Sequence, residues 1–141
     1  MKAILFRTTT GIAGVYHLIL GAALWLLPPE AMEGVAKVFL GVGVEADDRT
    51  TLIARFSSAY ILAFGVMLVL LCLHPVRFRA LAIPALTLFG IRLINKLVLL
   101  GSIEQAFQVS RGRSVFAVVT LALIFGLIAA TLPPRGESRS S

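Results

Sequence analysis

The sequence predicts an all-α protein: a four-transmembrane-helix bundle with a short interfacial helix in its first outer loop. Three observations carry this. Of 141 residues, 58% are hydrophobic and only 14% charged, with a mean hydropathy of +0.94. Soluble domains run at about 45–50% apolar and about 25% charged. Four apolar runs, at about 8–29, 53–74, 80–101 and 114–133, each reach the ~20 residues that a helix needs to cross the hydrocarbon core. The connections between them are short. A β-barrel would instead show segments of about 10 residues with alternating polarity. One domain is expected over 1–134, followed by a polar, disordered tail at 135–141, RGESRSS, that lacks apolar residues.

The first run, TTTGIAGVYHLILGAALWLLPP, follows the basic start MKAILFR. It is longer than the apolar core of a secretory signal, and no clean small-x-small cleavage site follows Trp25 and the Pro28-Pro29 pair, so it is read as a retained span. Thr10, Gly14, His17 and Gly21 share one narrow face of it. In the second run the uncharged stretch is 56–76, and Arg55, Ser58, Leu62, Gly65, Val69 and Cys72 share a face. In the fourth, Ala122, Gly126 and Ala130 repeat at a spacing of four. Helices in lipid associate through small residues that let backbones approach, so all three stripes are read as packing seams.

The loop at 30–55 is the only sizeable extramembrane piece. In AMEGVAKVFL, Met32, Val35, Ala36 and Phe39 fall on one face, with Glu33 and Lys37 opposite as an i,i+4 pair. A helix lying in the interface and a helix folded back as a lid both fit. The following GVGVEADD holds three acids in four residues without the spacing of an EF-hand, and reads as a solvated turn. In the loop at 102–113, Ser102-Ile103-Glu104-Gln105 matches a capping box, which predicts a short helix through Val109 ended by a turn at SRGR.

Charge sets the expected orientation. The N-terminus, the 75–79 turn and the tail carry six Lys/Arg and one acid, Glu137; the two larger loops carry five Lys/Arg and six acids. Both termini are therefore placed in the cytoplasm. The net charge of +6 then lies mostly beside anionic lipid, and no basic helix with interleaved aromatics stands outside the membrane to suggest nucleic-acid binding.

The third run is the chemically informative one. Arg92, Asn95 and Lys96 share a helical face, and a Lys or Arg at the centre of a span costs about 2.5–3.5 kcal/mol on insertion. Counting from residue 101 as the outer end, Arg92 lies roughly 13 Å down and Lys96 roughly 7 Å. Ser57, Ser58, Tyr60 and His17 fall at similar depth, and Arg55 caps the second span. The candidate polar layer is thus His17, Arg55, Ser58, Tyr60, Arg92, Asn95 and Lys96, with Tyr16 next to it. No acid lies in any span, so the counter-charge comes from loop 30–55, from a lipid phosphate or from a bound ligand. Two readings stay open. The layer is an outward-leaning cationic pocket for a lipid, quinone or other oxygen-bearing ligand, or Arg92 and Lys96 pair with Glu30, Glu33, Asp47 or Asp48 and pin the loop.

No catalytic set is found. Cys72 is alone, so quinone-coupled thiol chemistry lacks its pair. His17 and His74 lie at different depths, which does not suit bis-histidine haem. There is no Gly-x-Ser-x-Gly elbow, and Gly41-Val42-Gly43 is too short for dinucleotide binding. No metal-ligand set is recognised.

GIAGVYHLILGAALWLLPP in the first span, ARFSSAYILAFGVMLVL in the second, and the basic residues in the third make the chain resemble the small four-helix DoxX-like and BphX-like membrane proteins. The resemblance covers nearly the whole chain. It implies a bacterial inner-membrane protein, sometimes an accessory of membrane redox systems, with no catalytic residues to carry over. The expected function is that of a small inner-membrane protein without catalysis of its own, an accessory subunit or a lipid/quinone-binding module. The alternative is an oxidoreductase-associated subunit acting on a hydrophobic substrate through Arg92, Lys96 and His17. The expected partners are the bilayer itself and a second polypeptide of a membrane complex or another copy of the chain.

Overall fold

The computed structural model describes residues 1–40, 47–106 and 109–133. It is a helical bundle. The order is α1 (Lys2–Leu26), α2 (Pro29–Val35) continued by a π-helical turn (Ala36–Leu40), α3 (Asp48–Leu73), a 3₁₀ turn (Arg79–Leu81) leading into α4 (Ala82–Val98), α5 (Leu100–Ala106) and α6 (Arg111–Thr131). Four of these segments, Lys2–Leu26, Asp48–Leu73, Arg79–Val98 and Arg111–Thr131, are long and apolar enough to cross a membrane, which is the pattern of a multi-pass membrane protein.

α1 and α3 start before their apolar runs, for identifiable reasons. α1 starts at Lys2, because Ala3, Ile4, Leu5 and Phe6 continue the helix and Phe6 is fully buried. α3 starts at Asp48 because Asp47 is its N-cap: the Asp47 carboxylate accepts the Thr50 N–H at 2.6 Å, satisfying one of the donors that a helix start leaves open. Hydrogen bonds from Thr50, from its side chain first and its backbone N–H second, hold the Asp47 carboxyl below its usual value of 3.8. The cap is therefore complete above that value and is lost as pH falls through the lowered one. Hydrogen-exchange protection of the Thr50 and Thr51 amides should stay level at neutral pH and drop only below about pH 4. In Asp47→Asn, which caps without titrating, the protection should not depend on pH; a parallel drop in that variant would show that another group controls it.

Three expectations are corrected. Ser102 is not a cap. It lies inside α5, because the hydrogen bonds from Leu99 N–H to Asn95 (2.9 Å) and from Ile103 N–H to Leu99 (2.8 Å) carry the chain from α4 into α5 with only a local break. No free helix start exists there for a capping box to close. Val109 lies outside α5, and SRGR begins a helix rather than ending one: Ser110 is the N-cap position of α6, and its carbonyl accepts from Arg113 and Ser114. Finally, the Ala122, Gly126, Ala130 stripe faces outward, and a Cβ on Gly126 would meet nothing within 4 Å. α6 packs instead through larger residues: Ile128 is buried in the core, with Leu121, Ile124 and Phe125 against it.

The other two stripes form one seam. Thr10, Gly14, His17 and Gly21 of α1 are all buried, and α1 runs tightly along α3. A Cβ on Gly21 would fall 3.0 Å from the Leu62 backbone N, and one on Gly65 would fall 2.9 Å from that of Leu18. The two backbones therefore touch. α6 bridges α1 and α4, whereas α3 and α4 meet only sparsely. Arginine donors close the helix ends. Arg7 Nη2 reaches the Leu73 carbonyl (3.4 Å) and Arg79 Nε the Pro133 carbonyl (2.6 Å), so the start of α1, the end of α3, the start of α4 and the end of α6 share one end of the bundle. At the other end Arg113 Nη2 donates to the Lys37 carbonyl at 3.0 Å. Met32 (4% exposed) and Ala36 are buried and α2 rests on α1, which favours the folded-back reading of this segment. Of GVGVEADD, residues 41–46 lie outside the described residues.

A candidate lateral cleft at Arg92 and His17

The sparse contact between α3 and α4 leaves a cleft of about 560 Å³, open to the side of the bundle. Its walls are Ser57, Tyr60, Ile61, Ala63, Phe64 and Met67 of α3 and Pro84, Leu88 and Arg92 of α4, with His17 of α1 at its base. The α4 wall is a single ridge at a spacing of four residues, which a helix places on one face. Pro84 sits in the first turn of α4, where its missing N–H leaves no bond unmade. α3 and α4 run in opposite directions. Ser57 and Tyr60 therefore lie level with Arg92, and Met67 lies level with Pro84. One end of the cleft is polar and the other apolar.

His17 organises the polar end. It is 4% exposed, and its Nδ1 lies 2.7 Å from the Ala13 carbonyl, one turn back on α1. A carbonyl only accepts, so Nδ1 carries the proton. Nε2 is then the lone-pair nitrogen of a neutral ring, and Arg92 Nη1 donates to it at 2.9 Å. The ring is fixed by edge-on aromatic contacts: Tyr16 at 5.3 Å, Phe64 at 4.8 Å and Phe89 at 6.1 Å between centroids, with Phe64 and Phe89 themselves 5.1 Å apart. Such T-shaped pairs add about 0.5–1.5 kcal/mol each beyond buried area.

Of the seven residues of the expected polar layer, the cleft brings together His17, Tyr60 and Arg92. Ser58 is buried and spends its hydroxyl on the Arg55 carbonyl at 2.6 Å, while its neighbour Ser57 faces the cleft. Arg55 and Asn95 are exposed and stand outside the walls. Lys96 is half-buried, continuing the Pro84–Leu88–Arg92 ridge by one turn beyond the cleft. Residue-by-residue reading of the polar positions did not reach Phe64, Met67, Leu88 or Phe89. The hydrogen bond of Arg92 runs to His17, and the π-helical turn after α2 is tied to the bundle through Arg113.

Cys72 and His74 have structural surroundings. A Cβ on Gly11 would lie 3.0 Å from Cys72 Sγ, which places the cysteine in the α1–α3 seam. His74 ends α3 and stands against Phe78, whose ring also carries the Arg77 guanidinium 5.4 Å from its centroid. Among the described residues no three His, Cys, Asp or Glu side chains gather as a metal site. The chain matches no family model, no curated protein and no solved structure, so its function is argued from its own residues.

Proposed function

We propose that this is a DoxX-like protein of the bacterial inner membrane, with both termini cytoplasmic. In this reading it acts without catalysis of its own, as a lipid- or quinone-binding module or the accessory subunit of a membrane complex. The observation that carries the reading is the lateral cleft with Arg92 hydrogen-bonded to His17 at its polar end. A cation inside a span is costly and marks a ligand path or a pairing site. A volume of about 560 Å³ lies within the ~300–1,000 Å³ of small-molecule sites. An amphiphile could enter from the lipid without crossing water, lay its apolar part against Met67 and Leu88, and present an oxygen to Arg92 and Tyr60.

The test is native mass spectrometry of the protein released gently from its own membrane. A bound lipid or quinone that is lost in Leu88→Trp, which obstructs the cleft, is the expected result. A bare chain, or a bound molecule unaffected by Leu88→Trp, would remove the cleft as the binding site. A second polypeptide arriving with a bare chain would leave the accessory-subunit reading in its place.

A further inference from the structure

We infer that the cleft selects an amphiphile with an anionic oxygen head, a carboxylate or a phosphate monoester, rather than a neutral carbonyl compound. The inference rests on the cleft being a binding site and assigns the class of its occupant.

The first argument is charge. Arg92 keeps its proton under all ordinary conditions. Its hydrogen-bond partner at the base of the cleft is a neutral imidazole, which orients the guanidinium but cancels none of its charge. No wall residue is acidic, and the sequence holds no Asp or Glu between Asp48 and Glu104 or before Glu30. A neutral quinone or alcohol would accept a hydrogen bond and leave the cation uncompensated in a low-dielectric setting. An anion would both accept and neutralise, through the two-pronged contact that Arg offers to carboxylate and phosphate.

The second argument is direction. Arg92 lies six residues before the end of α4, about 9 Å along the helix axis. A long cationic side chain at that depth ordinarily extends toward the headgroups. Here it turns across to His17, which the Ala13 carbonyl and three aromatic rings hold in place. The charge is thus kept below the headgroup level, where an anion must arrive attached to something apolar.

The third argument is shape. From Arg92 to Pro84 the α4 wall is one ridge, about 12 Å long, facing Phe64 and Met67. It is a short lane, polar at one end only.

The experiment uses the full chain in phosphatidylcholine nanodiscs at pH 8, titrated with hexadecanoate, hexadecyl phosphate, hexadecanol and decyl-ubiquinone, with native mass spectrometry as the readout. The two anions should bind one per chain and at least about tenfold more tightly than hexadecanol and the quinone, the ratio expected of a hydrogen bond to a charged group. Arg92→Gln should abolish that ratio and Arg92→Lys should keep most of it. Circular dichroism reports whether each variant is folded. Should Arg92→Gln not fold, the wild-type ratio and Arg92→Lys decide the matter. Equal binding of hexadecanol or the quinone, lost in Leu88→Trp, would overturn the anionic assignment and leave the cleft as a site for a neutral ligand. Binding of no probe, or binding unaffected by Leu88→Trp, would overturn both.

Discussion

Gly65→Ala should destabilise the bundle by about 1–3 kcal/mol, the range for overpacking a filled interior. The single methyl group would sit 2.9 Å from the backbone nitrogen of Leu18 and 2.9 Å from its Cγ. A side chain could turn aside, but a helix backbone cannot, so α1 and α3 must separate along the seam that joins them most closely. Gly21 makes the reciprocal contact with Leu62, which means that the strain has no slack on the other side. Gly126→Ala is the matched control. A Cβ there meets nothing within 4 Å, and replacing glycine inside a helix is worth about 0.5–1 kcal/mol in the stabilising direction. Thermal unfolding of both variants in the same detergent should move in opposite directions. Equal shifts would mean that the α1–α3 approach is looser than its geometry.

The same pair shows what could be read in the sequence. The stripes on α1 and α3 are legible as seams because small residues at helical spacing have one strong use in lipid, which is to bring backbones together. The stripe on α6 has the same pattern and faces outward. In a membrane an outward face need not be polar, so hydropathy cannot say which side of an apolar helix is inside. The helix starts were hidden for a different reason. Ser102 fits a capping box by residue type alone but lies inside α5, whereas the cap of α3 is Asp47, whose carboxylate accepts the Thr50 N–H.

The polar layer was legible in depth and not in azimuth. Arg92, His17 and Tyr60 were grouped by their distance along the helices, and the cleft joins them. Ser58 shares that depth but is turned into the bundle, so its neighbour Ser57 takes the place in the wall. Phe64 and Phe89 were missed because a phenylalanine in a span reads as lipid-facing by default. Their role appears only once His17 is seen between them.

His17 carries the second large effect. His17→Ala should cost about 2–4 kcal/mol, since a ring that is 4% exposed leaves a cavity against Phe64 and Phe89. His17→Phe should recover most of that loss. It restores an aromatic ring of similar size and keeps the edge-on contacts, and volume-conserving replacements usually cost less than ~1.5 kcal/mol. What phenylalanine does not restore is the lone pair that holds Arg92 across the cleft. With that acceptor gone, the guanidinium is released toward the headgroups, and hexadecanoate should bind about tenfold more weakly although the protein melts near its normal temperature. A merely structural histidine would give a different result, with affinity following stability and both returning in His17→Phe. The separation of the two readouts in one variant therefore decides whether His17 is a positioning residue for Arg92 or a packing residue that happens to touch it.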